Sequence, residues 1–171
     1  LYTDLENVYL NQKFSYTLPK TLQGQMSHEI ENMMAAYAMV KEFNVTENQF
    51  LEAWATFKKP KHRIEFVKTV KGVNYYDDSK GTNIDAVLRA VHSLKGPIYL
   101  IAGGVDKGSS YQPWKSFKGK VKRVFTIGQA AYKIKEELQS SIDVEVFETL
   151  ELAVNQAYSE SVKGDSVLLS P

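Results

Sequence analysis

Carboxylates, hydroxyls and a lysine crowd into one short stretch, Asp77-Asp78-Ser79-Lys80-Gly81-Thr82-Asn83. It follows a β-prone run at residues 73–76 and precedes an amphipathic run that begins at Ile84. Thr82 or Asn83 can cap that helix, leaving its first N–H groups aimed back into the loop. A helix N-terminus with Lys80 and hydroxyls beside it binds anions. The same residues also suit a ligand-free, glycine-containing turn between strand and helix. A second stretch, Gly103-Gly104-Val105-Asp106-Lys107-Gly108, lacks the G-x-G-x-x-G spacing of a dinucleotide loop. Its glycines let backbone approach a ligand and Lys107 brings a point charge, but a glycine-rich turn with a solvated lysine is the simpler form. Ser170 ends the apolar run Val167-Leu168-Leu169, where it either donates to a carboxylate or merely closes the strand.

Lys58, Lys59, Lys61, His62 and Arg63 gather around Pro60. They read as a solvated linker, or as a hinge that offers Arg63 to a phosphate. His28, His62 and His92 lie too far apart to mark a metal site by spacing, so no metal ligand set is expected.

Certain elements must hold these loops. Residues 1–18 mix β-prone pieces with turn residues, as in a small hairpin. A helix follows with Ile30, Met33, Met34, Tyr37 and Val40 on one face. A second helix opens at Thr46 with Gln49 three residues on, a capping box, and turns Phe50, Leu51, Trp54 and Phe57 inward. After Pro60 the pattern changes to alternation. Strands are expected at 64–70, 73–76, 97–102, 121–127, 144–147 and 166–169, with helices at 84–94, 130–138 and 150–162 and a short one near Trp114. Continuous apolar runs such as Ile98-Tyr99-Leu100-Ile101-Ala102 are those of parallel strands covered on both faces. The reading is an α/β, Rossmann-like, doubly wound and mostly parallel sheet over 60–171, preceded by a hairpin-and-helix unit over 1–59. Such sheets collect ligands at the carboxyl ends of their strands, where all three loops stand.

Composition narrows the function. The 171 residues carry 21 Lys+Arg against 20 Asp+Glu, so no strong field favours nucleic acid. No apolar run reaches the ~20 residues that span a bilayer, and no signal peptide is visible. With no cysteine, disulfides and thiol chemistry are excluded, which suits a reducing cytoplasm. Lacking an initial Met and stopping directly after a strand-like run, the chain reads as cut at both ends.

Taken in order, His62-Arg63-Ile64-Glu65, Tyr75-Tyr76-Asp77-Asp78-Ser79-Lys80-Gly81-Thr82-Asn83, Leu100 to Gly108 and Gly164 to Pro171 resemble the Mur ligase family, in particular its D-glutamate-adding members. The D-S-K-x-T-N loop is the most specific element; sister ligases and folylpolyglutamate synthases differ there. The resemblance implies that residues 1–59 are the tail of a central ATP-binding domain and 60–171 an amino-acid-binding domain. It implies a monomeric cytoplasmic ligase that uses ATP and Mg²⁺ to join D-glutamate to UDP-N-acetylmuramoyl-L-alanine through an acyl phosphate. This stretch, without a P-loop, is expected to be inactive alone, and Mg²⁺ to be held mainly outside it.

By the same resemblance Asn32 is an adenine-side contact, Arg63 a phosphate contact and Asp78 a ribose ligand. Lys80, the expected catalytic residue, and Thr82 face the nucleotide, Thr82 also facing the amino acid. Lys107 and Ser170 hold the D-glutamate carboxylates. Two departures stand out. Gly24 and His28 lie four apart and Glu29 replaces the family's Asn. Gly81 stands where the family commonly has Ala, a change expected only to loosen the turn.

Overall fold

A computed structural model describes the backbone of strands within residues 2–17 and everything from residue 27 to 171, with side chains from Glu29 onward. The chain divides into two compact units, Leu1–Lys59 and Pro60–Pro171.

In the first unit, β1 (Tyr2–Thr3), β2 (Asn7–Leu10) and β3 (Lys13–Thr17) pair antiparallel in that order, one strand more than a hairpin. Helix α1 (Ser27–Lys41) buries Ile30, Met33 and Met34 with Phe50 of α2 (Glu47–Thr56). Thr46 caps α2 in a reciprocal box with Gln49. Phe57, expected inward, is 56% exposed. The helix ends at Thr56 and Phe57 takes an extended backbone, so helical spacing no longer carries its ring to the buried face; it stacks on Trp54 instead. Gly24 and the side chain of His28 lie outside the described residues.

The second unit alternates. Its elements are β4 (Glu65–Val70), β5 (Val73–Asp77), α3 (Ile84–Ser93), β6 (Ile98–Gly103), a 3₁₀ turn (Gln112–Phe117), β7 (Val121–Ile127), α4 (Ala131–Leu138), β8 (Asp143–Val146), α5 (Leu150–Glu160) and β9 (Ser166–Leu169). They form one six-stranded sheet in the order β4-β5-β9-β6-β7-β8. Only β4 runs antiparallel to its neighbour, and the doubly wound fold is the one expected. Side chains alternate across β6. Ile98, Leu100 and Ala102 join Val87 and Val91 of α3, Trp114, and Ile134 of α4, while Tyr99 and Ile101 pack with Ala153 and Ala157 of α5.

That order matters for the site. β9 lies between β5 and β6, so the loops after β5 and β6 and the end of β9 emerge side by side.

Asn83, rather than Thr82, caps α3: its side-chain oxygen accepts the Ala86 N–H at 2.8 Å. Asn83→Ala should therefore cost about 1 kcal/mol of stability, the usual worth of a cap. Chemical denaturation would measure it, and an unchanged midpoint would mean that water replaces the cap fully.

Candidate functional site

The loop after β5 is held by its two aspartates, which face different partners. Asp77 accepts the Ser79 N–H at 2.9 Å and meets His62 Nδ1 at 2.7 Å. Asp78 is 3% exposed. One of its oxygens accepts the Ile64 N–H at 3.1 Å and the other accepts the Ser170 hydroxyl at 2.7 Å. Burial pushes the Asp78 carboxyl above its ordinary pKa, and the hydrogen bonds from Ser170 and Ile64 offset this in part.

The sign of that shift sets a pH dependence. A carboxyl with a raised folded pKa binds its proton more tightly folded than unfolded. Its contribution to stability is present below the unfolded pKa and is lost as pH rises through the folded one. Asp78→Asn, which cannot titrate, should flatten that part of the melting-temperature profile. A profile unchanged by the substitution would mean that Asp78 does not titrate in the fold.

At the end of β6, Gly103 (φ 139°) runs so close to β7 that a Cβ there would lie 2.0 Å from the Ile127 carbonyl oxygen. Glycine at 103 is therefore required by the approach of β6 to β7, and the same residue also lines the cleft described below. Further along, Asp106 is held by the Gly108 N–H and by Lys133, leaving Lys107 directed elsewhere. Lys107 Nζ donates to the Thr82 carbonyl at 3.1 Å, joining the two loops.

Between these loops lies a cleft of about 250 Å³, lined by residues 79 and 81–84, Val87, Gly103 to Val105, Lys107, Ser109, Tyr111, Trp114 and Pro171. Drug-sized ligands fill pockets of about 300–1,000 Å³, so this one suits something of amino-acid size. No Asp or Glu side chain lines it. Lys107, the hydroxyls of Ser79, Thr82 and Ser109, and the start of α3 all favour an anion. The wall is aromatic: Tyr111 and Trp114 pack edge to face with centroids 5.0 Å apart, and Trp114 Nε1 donates to the Ile84 carbonyl.

The structure thus brings Lys107 and Thr82 together at the cleft. Lys80 and Arg63 are exposed, with no side-chain ion pair among the described residues, and Asn32 is exposed on α1 in the other unit. Ser170 and Asp78 are buried and turned onto each other, and neither is among the residues that line the cleft. Sequence reading missed Pro171, Tyr111 and Trp114 as cleft lining; the two aromatics flanking Pro113 were the available signal. It also missed the convergence of His62, Glu65 and Asp77, whose potential ligand atoms lie within 4.8 Å of one another. That group is closed by its own bonds, since the His62 N–H donates to Glu65 and its ring meets Asp77.

A mostly parallel sheet with helices on both faces and a cleft at its carboxyl edge defines the class: a Rossmann-like domain. Residues 62–171 match the family model described as "Mur ligase, glutamate ligase domain", and the chain belongs to that family. It is 53% identical over 171 residues to a UDP-N-acetylmuramoylalanine–D-glutamate ligase of Protochlamydia amoebophila, covering 99% of this chain and 38% of the relative. A ligase of the same name from Thermoanaerobacter sp. is 45% identical over 149 residues, covering 84% of this chain and 33% of the relative. This chain therefore spans about a third of the length of those proteins.

Among solved structures, MurF from Acinetobacter baumannii superposes with a TM-score of 0.68 at 17% identity, covering 95% of this chain and 38% of that one. A folylpolyglutamate synthase from Thermotoga maritima does so at 0.54 and 20%, covering 94% and 39%. At these identities the likeness is one of fold. No helix among the described residues is long and apolar enough to cross a membrane.

Proposed function

We propose that this chain is the amino-acid-binding end of a cytoplasmic, ATP-dependent ligase that joins D-glutamate to UDP-N-acetylmuramoyl-L-alanine in peptidoglycan precursor synthesis. The observation that carries the reading is the cleft itself: amino-acid-sized, free of acidic side chains, and fitted with Lys107, the hydroxyls of Ser79, Thr82 and Ser109, and a helix start. A ligand with two carboxylates requires those features. The names of the relatives point the same way.

In this reading Lys107 and the neighbouring hydroxyls seat the D-glutamate carboxylates, and the Tyr111–Trp114 wall keeps water from the reacting end. Exposed and without a side-chain ion pair among the described residues, Lys80 and Arg63 fit a polyanion, so they are the groups that would meet the nucleotide phosphates; Asn32, in the other unit, is the adenine-side contact that the resemblance implies. When bound, ATP with Mg²⁺ supplies the phosphoryl group that converts the muramoyl-L-alanine carboxylate to an acyl phosphate. The amine of the seated D-glutamate then forms the C–N bond as the C–O bond to phosphate breaks. The His62–Glu65–Asp77 group is satisfied internally and the cleft holds no acidic side chain, so we assign no Mg²⁺ ligand among the described residues. Residues 1–59 are read as the tail of the ATP-binding domain.

The test is phosphate release by the full-length protein with UDP-N-acetylmuramoyl-L-alanine and a panel of amino acids. D-Glutamate alone should stimulate release. Equal stimulation by L-lysine or diaminopimelate would assign the protein to a sister activity.

A further inference from the structure

Two residues beside Arg63 have backbones that L-amino acids rarely adopt: His62 at φ 64° and Ile64 at φ 49°. Ile64 is β-branched, for which a left-handed backbone is a true outlier. Strained residues persist only where their surroundings hold them. Here the holders are visible. The His62 N–H donates to Glu65, its ring meets Asp77, its carbonyl accepts the Lys80 N–H at 3.1 Å, and the Ile64 N–H donates to Asp78. The strained turn therefore presents Arg63 between two anchored residues, and the anchor on its far side is a carboxylate oxygen of Asp78.

The other oxygen of Asp78 holds the Ser170 hydroxyl, next to Pro171 in the cleft wall. The Asp78 backbone is fixed as well, since its N–H donates to Leu169 and its carbonyl accepts the Gly81 N–H, both at 2.7 Å. Space for this arrangement comes from position 81. A Cβ on Gly81 would lie 2.3 Å from Asp78 Oδ2 and 2.7 Å from Ser170 Oγ. Glycine there does more than set the tightness of a turn, which corrects the expectation from sequence.

We propose that Asp78 is a positioning residue that spans the site, one oxygen setting the Arg63 turn and the other setting the Ser170–Pro171 edge of the amino-acid cleft, with Gly81 the residue that makes room for it. The inference rests on the ligase reading for its kinetic arm, but not for its structural arm. It goes beyond a ribose-ligand role because each carboxylate oxygen already accepts a hydrogen bond within the protein, which leaves lone pairs for a further donor. It also predicts that a change at Asp78 is felt by the amino acid.

The structural arm is amide exchange of Ile64 in this chain, followed by NMR. Exchange should be at least tenfold faster in Asp78→Ala than in the parent; equal exchange would overturn the clasp. Should Asp78→Ala fail to fold, Asp78→Asn and Gly81→Ala provide the same comparison. The kinetic arm is a double-mutant cycle in the full-length protein. Asp78→Asn and Ser170→Ala should each raise the KM for D-glutamate about tenfold, and the double variant no further, while Gly81→Ala follows the same direction. Three results would each sink the proposal: an Asp78 effect confined to the KM for ATP, effects that multiply in the double variant, or a lowered melting temperature with unchanged KM. Absence of any D-glutamate-dependent activity in the parent would count against the ligase reading instead, and the exchange result would still decide the clasp.

Discussion

Lys80→Ala in the full-length protein is expected to lower turnover by about a hundredfold or more while leaving the melting temperature within a few degrees of the parent. The magnitude is that of removing one preorganised charge from a site where negative charge develops, roughly 10²–10³ in rate. Stability should be spared because the side chain is exposed and makes no ion pair among the described residues. What holds the loop is its backbone, with the Lys80 N–H on the His62 carbonyl and Asn83 capping α3. Neither bond depends on the ammonium. Steady-state kinetics beside a thermal melt measures both halves. A lowered melting temperature with unchanged turnover would make Lys80 a structural residue.

Lys107→Ala should raise the KM for D-glutamate about ten- to a hundredfold and leave the KM for ATP where it was. A hydrogen bond to a charged group is worth about 1.5–3 kcal/mol, which is that range in affinity. Lys107 is the one cationic side chain among the residues that line the cleft. Its present bond to the Thr82 carbonyl uses one of three donors, so a carboxylate can still be met. Lys107→Arg should recover only part of the loss, because a planar fork does not reproduce a point charge. Equal effects on both KM values would place Lys107 outside the amino-acid site.

The alternation of residues 60–171 was legible because apolar runs such as Ile98–Gly103 and the amphipathic start at Ile84 differ in period, and turn residues separate them. Strand order was not legible. That β9 inserts between β5 and β6 depends on packing among distant segments, and no local pattern records it. For the site, a lysine in a loop at a strand's carboxyl end was a readable signal, and Lys80 and Lys107 are exposed where their loops open. The inward turn of Asp78 onto Ser170 was not readable, since the two are ninety-two positions apart. Phe57 failed for a local reason: helical spacing was carried one residue past the helix end. The strand-to-strand role of Gly103 was not readable, because a glycine needed to let two strands approach looks the same in sequence as one needed by a ligand.

The claim at the centre is that the cleft between the Thr82 and Lys107 loops takes the D-glutamate carboxylates. A crystal structure of the full-length protein with D-glutamate addresses it directly. The account predicts a carboxylate oxygen within about 3 Å of Lys107 Nζ, the distance of a charged hydrogen bond, with the ligand lying against Tyr111 and Trp114. D-Glutamate bound at another site, with this cleft unchanged and Lys107 still on the Thr82 carbonyl, would contradict it.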